Sequence, residues 1–246
     1  MGNICDYLRE GKDDTQSCCP FEHFMKRVTH PTGTYLYRQG EPITNLFNLH
    51  SGMVALERIL PDGEMVITKL IQPGGLFPLS GAWQGGTYAH SARTLTQSSL
   101  CLIPAEGMNA VAREDPHTAF CLFRRGCEDI GQNEEAITIL LGAGLPERTL
   151  ALLADLGRTR ALPSEDGKLH FRLPVSWHII ASALGTRREV LSRLLRKLSE
   201  SGALAYSNRD VTLNGWPDQR AALPLDENPQ FQSQQGQGHD TSRVPL

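Results

Sequence analysis

Residues 176–202 restrict the fold more than any other stretch. Ser176 is a helix-capping residue, and Val175, Ile179, Ile180, Ala183 and Leu184 recur on one side of a short helical run that Gly185 ends. The pattern predicts a second helix from Thr186 to about Ser201, with Gly202 as its C-terminal stop. In that helix Val190, Leu191, Leu194, Leu195 and Leu198 form an apolar stripe, and Arg188, Glu189, Ser192, Arg193 and Arg196 fall opposite. A short helix, a glycine turn and a second amphipathic helix make a helix-turn-helix. Residues 203–206 and 210–213 read as a hairpin beside it, a wing.

The charge of this region opposes that of the chain. The 246 residues carry a formal charge of −3, whereas residues 185–209 hold six Lys or Arg against two Glu, a local +4. Phosphates favour such a patch, and the acidic remainder keeps the rest of the chain off a polyanion. The residue types also suit base reading. Arginine can bind guanine O6 and N7 in a bidentate manner, glutamate accepts from cytosine N4, and serine serves either role. A solvated helix face with ordinary charge pairs is the plainer alternative. A glutamate amid arginines argues for reading, because a patch made only for phosphates would exclude a carboxylate. The predicted DNA-contacting set is Ser176, Thr186, Arg187, Arg188, Glu189, Ser192, Arg193 and Arg196.

Upstream, two textures alternate. Runs such as Thr34-Tyr35-Leu36-Tyr37, Leu46-Phe47-Asn48-Leu49, Met53-Val54-Ala55-Leu56, Met65-Val66-Ile67-Thr68 and Ser99-Leu100-Cys101-Leu102-Ile103 are separated by turns at Gly40, Ser51-Gly52, Pro61-Asp62-Gly63 and Pro73-Gly74-Gly75. Short strands at this spacing predict an antiparallel sandwich or barrel. A short helix is expected over about 21–28. Asp115-Pro116 then reads as a helix start. Phe120, Phe123, Cys127, Ile130, Glu134, Ile137 and Leu141 follow at spacings of 3 and 4, an a/d seam for a partner helix. The seam lasts three heptads, which favours a two-fold dimer over packing on the chain's own sheet. Glu134 on the seam lowers stability and can make pairing conditional.

The chain thus divides into a flexible, cysteine-containing leader (1–19), an antiparallel β domain (20–114), a dimerisation helix (115–143), a winged helix-turn-helix (144–223) and a disordered tail (224–246). The fold class is α+β. No stretch approaches the roughly 18 apolar residues of a membrane span, and the leader has no apolar signal core, so a cytoplasmic protein is expected. In that compartment six cysteines read as thiols or metal ligands.

The chain resembles the family of the cyclic-AMP receptor protein and the fumarate-and-nitrate-reduction regulator, the CRP/FNR family, over about residues 20–215. The resemblance rests on Arg38-Gln39-Gly40-Glu41, Leu46-Phe47-Asn48-Leu49-His50-Ser51-Gly52, Asp62-Gly63-Glu64 and Gln72-Pro73-Gly74-Gly75. In the C-terminal part it rests on Ile180-Ala181, Leu184-Gly185 and Arg188-Glu189-Val190-Leu191-Ser192-Arg193-Leu194-Leu195. Ile179 departs from it, since the family commonly has an acidic residue there. The resemblance implies a β-roll sensor, a dimer helix and a winged helix-turn-helix on promoter DNA, with RNA polymerase as a further partner and activation as the output. Glu189-x-x-Ser192-Arg193 is similar to the recognition signature of the fumarate-and-nitrate branch, which implies an inverted repeat with TTGA-like halves, while Arg188-Glu189 followed by Arg193 is also similar to the cyclic-AMP branch, which reads TGTGA.

The resemblance also bears on the signal. Phe77-Pro78-Leu79 and His90-Ser91-Ala92 stand where a cyclic-nucleotide pocket of the family has its glutamate and its arginine, so cyclic-nucleotide binding is not expected. The oxygen-sensing branch places three cysteines in the leader and one on a late sensor strand. Cys5, Cys18, Cys19 and Cys101 are similar in place and imply a [4Fe-4S] cluster that responds to oxygen, redox state or nitric oxide, although adjacent Cys18 and Cys19 depart from the branch's spacing. His90 as a haem ligand and an effector-independent regulator are the alternatives. A cupin-like barrel enzyme is a remote one, because no His-x-His pair or nucleophile motif is present.

Overall fold

A computed structural model describes residues 21, 25–79, 86–160 and 167–214. The readings on the leader, on Cys5, Cys18 and Cys19, and on the tail lie outside the described residues. Eight strands come first: β1 (Lys26–His30), β2 (Tyr35–Tyr37), β3 (Asn45–Ser51), β4 (Val54–Ile59), β5 (Met65–Ile71), β6 (Leu76–Phe77), β7 (Ser91–Thr94) and β8 (Ser98–Pro104). They form two antiparallel sheets, ordered β1-β8-β3-β6 and β2-β7-β4-β5. Period-2 alternation decides what each face meets. Phe47, Leu49 and Leu100 turn inward with Tyr37, Leu56, Phe77 and Tyr88. Leu46 and Ile103 turn outward and are covered by Phe21, Met108 and Leu122.

Three helices follow, α1 (Ala105–Glu114), α2 (Pro116–Gly142) and α3 (Leu145–Arg158). The Asp115 side chain caps α2 by accepting from the His117 N–H at 3.1 Å and the Thr118 hydroxyl at 2.6 Å. Thr118, Cys121, Leu122 and Arg125 line the face of α2 turned to the sandwich and are buried. The seam residues lie on a different face. Phe120, Phe123, Ile130, Ile137 and Leu141 are all more than half exposed, Leu141 at 82%, and Cys127 and Glu134 are exposed with them. The helix therefore packs on its own sheet with one face and offers the heptad stripe outward.

The C-terminal unit comprises α3, β9 (Leu169–Arg172), α4 (Trp177–Ala183), α5 (Arg188–Glu200), β10 (Leu204–Ser207) and β11 (Asp210–Leu213), with the strands ordered β10-β11-β9. Leu153, Leu156, Phe171, Trp177, Ile180, Leu191, Leu195 and Val211 share one core. Met53, Leu70 and Leu95 of the sandwich join it, so the two units meet along an apolar contact with α4 against β5.

Four expectations need correction. Lys26–His30 is a strand on the free edge of β8 and not the end of a helix, and β-branched Val28 and Thr29 suit that pairing. Helix α1 was not anticipated, since Gly107 and Asn109 dilute the Met108, Val111, Ala112 spacing. Strand β7 was missed because both its faces bury a polar residue, Ser91 on one and Thr94 on the other. The second helix of the helix-turn-helix begins at Arg188, which leaves Thr186 and Arg187 in the turn.

Candidate nucleic-acid interface and sensor site

The turn between α4 and α5 follows from local chemistry. Ser176 sits at the cap of α4 in extended conformation, and its carbonyl accepts from Ile179 N, but its side chain makes no capping hydrogen bond. At the other end Gly185 adopts φ +63°, the left-handed region that a side chain would strain. The Gly185 N–H then reaches the Ser182 carbonyl and the Thr186 N–H reaches that of Ala181, a Schellman closure that turns the chain sharply. Arg148 of α3 donates to the Leu184 carbonyl at 2.9 Å and braces this corner.

Helix α5 emerges with two opposed faces. Leu191, Leu195 and Leu198 are buried, with Val190 and Leu194 half-buried beside them. Arg188, Glu189, Ser192, Arg193 and Arg196 are exposed, as is Arg187 at the N-cap, while Thr186 is half-buried and Ser176 exposed. Arg196 approaches Glu200 at 3.9 Å, a surface pair of little strength. Arg188, Glu189 and Arg193 make no ion pair among the described residues. A solvent-exposed row of donors and one acceptor stands on a helix whose opposite side is fixed by leucines.

The wing adds residues that the sequence reading did not single out. Asn208 at its tip has φ +55°, and its carbonyl accepts from the Trp177 indole at 2.6 Å. The Arg209 carbonyl accepts from Leu173 N at 2.7 Å. Exposed Tyr206 meets Trp177 edge-on, with ring centroids 5.7 Å apart. The start of α4 thus anchors the hairpin tip. The Asx-type left-handed turn at Asn208 was the available signal.

In the sandwich, the inner space is filled by aromatic rings. Tyr37 and Tyr88 stack at 3.7 Å, and Phe47 and Phe77 stack at 5.7 Å. His90 stands edge-on to Tyr37, with Nε2 3.3 Å from the Tyr37 hydroxyl. Burial, then the charges of Arg58 and Lys69, lower the His90 pKa. Buried Glu57 is paired with Arg93 and accepts from the Tyr35 hydroxyl at 3.4 Å.

Cys101 is buried on the outer face of β8. Its Sγ lies 3.0 Å from His50 Nε2, a contact that sequence reasoning missed. Cys121 is buried on α2, with Sγ 3.6 Å from His117 Nε2. No three His, Cys, Asp or Glu side chains converge on a metal position among the described residues.

Two family descriptions match the chain. The cyclic nucleotide-binding domain matches residues 27–115 and the Crp-like helix-turn-helix domain matches residues 147–217. Among curated relatives, the transcriptional activator protein anr of Pseudomonas aeruginosa is 29% identical over 182 residues, 73% of this chain and 72% of that protein. The fumarate and nitrate reduction regulatory protein of Salmonella typhi is 26% identical over 220 residues, 85% of this chain and 87% of that protein. The solved structure of FixK2 from Bradyrhizobium japonicum superposes with a TM-score of 0.69 at 24% identity, covering 80% of this chain and 94% of that one, a likeness of fold.

Proposed function

Since this chain belongs to the CRP/FNR family of transcription regulators, we propose that two copies join along the α2 seam and place each α5 in the major groove of one half of an inverted repeat with TTGA-like halves. The chain is a DNA-binding regulator and not an enzyme. The observation that carries the reading is the solvated row Arg188, Glu189 and Arg193 opposite buried Leu191 and Leu195. In this reading Arg193 and Arg188 supply bidentate donors to guanine, Glu189 accepts from cytosine N4 and Ser192 supports them. Ser176, Thr186, Arg187 and Arg196 hold phosphates and set the register. Two-fold symmetry places the halves about one helical turn, roughly 34 Å, apart. Binding of labelled duplexes with TTGA-like and scrambled halves tests it. Equal affinity for both would remove base reading.

A second reading concerns the signal. Relatives named for anaerobic and fumarate-nitrate regulation support a sensor that responds to oxygen or redox state through a cofactor at Cys5, Cys18, Cys19 and Cys101, with activation through RNA polymerase as the output. A [4Fe-4S] cluster is the first candidate, and four thiolates are its usual donors. Buried Cys101 fits such a site. Adjacent Cys18 and Cys19 depart from the spacing of that branch's leader cysteines. When bound, the cofactor would tie the leader to the sensor, and its loss would loosen the dimer. The Tyr37 hydroxyl against His90 Nε2 argues against the haem alternative, and the aromatic packing between the sheets argues against a cyclic nucleotide there. Anaerobic purification followed by absorption spectra and iron and sulfide assays decides. A colourless, iron-free protein from iron-replete cells would leave the effector-independent alternative.

A further inference from the structure

We infer that strand β5 is the positioning element for DNA reading: its end holds α2 through Lys69 and seats α4 through Leu70, and this seat sets the half-site spacing that a dimer accepts. The inference rests on the proposed seam dimer and inverted repeat, and names what fixes their geometry.

The covalent link leaves that geometry open. Helices α2 and α3 are joined by Ala143 and Gly144, both extended, at φ −113° and ψ 144° and at φ −70° and ψ 171°. Each helix closes its own ladder beside the joint, Ala143 N on the Ile139 carbonyl and Arg148 N on that of Gly144, both at 3.0 Å. Each residue of the joint keeps two soft dihedrals, so the joint is a hinge. A turn there rotates the whole reading unit relative to the seam.

The sensor supplies the stop. Strand β5 is the edge strand of the sheet β2-β7-β4-β5, which leaves its outer side open to a helix. Successive side chains of a strand leave on opposite sides. Lys69 leaves on one side, pairs with Asp129 of α2 and donates to Asn133 at 3.2 Å. Leu70 leaves on the other and packs, with Leu95, on the core of the C-terminal unit, where α4 lies against β5. Met53 is fully buried in that core, and every other buried member of it lies between residues 153 and 213. Gln72 carries the contact on to α3, donating to the Asp155 carboxylate at 2.8 Å. One strand end thus stands between the dimer helix and the first helix of the helix-turn-helix. Helix α4 is tied to α5 by the closed turn at Gly185, and Ile180, Leu191 and Leu195 share one core. The angle set at Leu70 therefore passes to α5 as a rigid body. Two-fold symmetry repeats it in each protomer and so fixes both the distance and the twist between the reading helices. Leu70 lies in the sensor and acts through α4, which makes it a positioning residue.

Fluorescence anisotropy of the full chain at fixed salt tests this, with TTGA-like inverted repeats at serial one-base-pair spacings and a duplex with a single half-site. Each added base pair moves a half-site by about 3.4 Å and turns it by about 35° about the duplex axis. Engaging both halves at once gains roughly 10²–10⁴-fold over one, and the gain is lost where geometry forbids it. The parent should bind one spacing best and fall off on either side. Leu70→Ser should lose most of that gain and flatten the profile, with single-half binding and dimer mass unchanged. Leu70→Ile should restore the peak, which separates positioning from general damage. Two glycines inserted after Gly144 should leave the peak in place. A Leu70→Ser profile as sharp as the parent's overturns the inference, and so does a peak that moves or vanishes with the glycine insertion. Should Leu70→Ser also lose the single half-site, the glycine insertion decides alone. A parent that gains nothing from a second half at any spacing overturns the inverted-repeat reading itself, and the inference with it.

Discussion

The Gln72 side-chain amide of the sensor donates to Asp155 Oδ2 of α3 at 2.8 Å. Its carbonyl oxygen accepts from the Thr159 hydroxyl at 2.6 Å and from the Arg160 guanidinium. Gln72 occupies the first position of the tight turn 72–75, where Gly75 N returns to the Gln72 carbonyl at 2.9 Å. The same strand end reaches α2, since Lys69 pairs with Asp129 and lies 3.2 Å from Asn133. Residues 69–75 thus touch both α2 and the helix-turn-helix unit, the link that a sensor needs in order to bias a reader.

Gln72→Ala removes buried hydrogen bonds, two of them to charged partners, at a cost of about 1–3 kcal/mol. Hydrogen exchange in residues 145–160 should quicken by one to two orders of magnitude, with strands β3 and β8 unchanged. Unaltered exchange in α3 would show that the apolar contact of Met53, Leu70 and Leu95 suffices alone.

The seam predicts its own test. Ile130 is 59% exposed in the protomer and should be buried by a partner. Ile130→Asp places a charge in that seam and should yield monomers by sedimentation, with DNA affinity lost. Glu134→Leu should tighten association, because a polar seam residue costs stability. An Ile130→Asp dimer of unchanged strength would place the interface elsewhere.

His90 gives a pH prediction. Burial holds the Tyr37 phenol protonated, so its hydroxyl donates to His90 Nε2. His90 is shifted below its ordinary value by burial and by Arg58 and Lys69. The folded state therefore binds a proton at this site less readily than the unfolded state. Its contribution is whole above the unfolded value of about 6.5 and is lost as pH falls below it. Melting temperature should drop as pH falls below about 6.5, and His90→Gln should flatten that drop. An equally steep fall in the variant would assign the effect to other groups.

Much of this was legible in residue order. Helical spacing of the leucines in 190–198 and the glycines at 185 and 202 define α4 and α5, because local backbone chemistry governs them. The seam of α2 was legible for the same reason. What sequence hid depends on pairing across distance. Strand β7 buries polar Ser91 and Thr94 and pairs its Arg93 with Glu57, so no apolar alternation marks it. His50 meets Cys101 only through a bulge in a register that brings positions 51 residues apart together. The wing tip at Asn208 is set by the Trp177 indole and has no period of its own.

The central claim is that the exposed face of α5 reads bases. Fluorescence anisotropy of a duplex with TTGAT halves against a scrambled duplex, at fixed salt, compares the parent chain with Arg193→Ala. The variant is expected to lose about 1–3 kcal/mol on the specific duplex and little on the scrambled one, which narrows discrimination. Undiminished discrimination with Arg193 absent would contradict it.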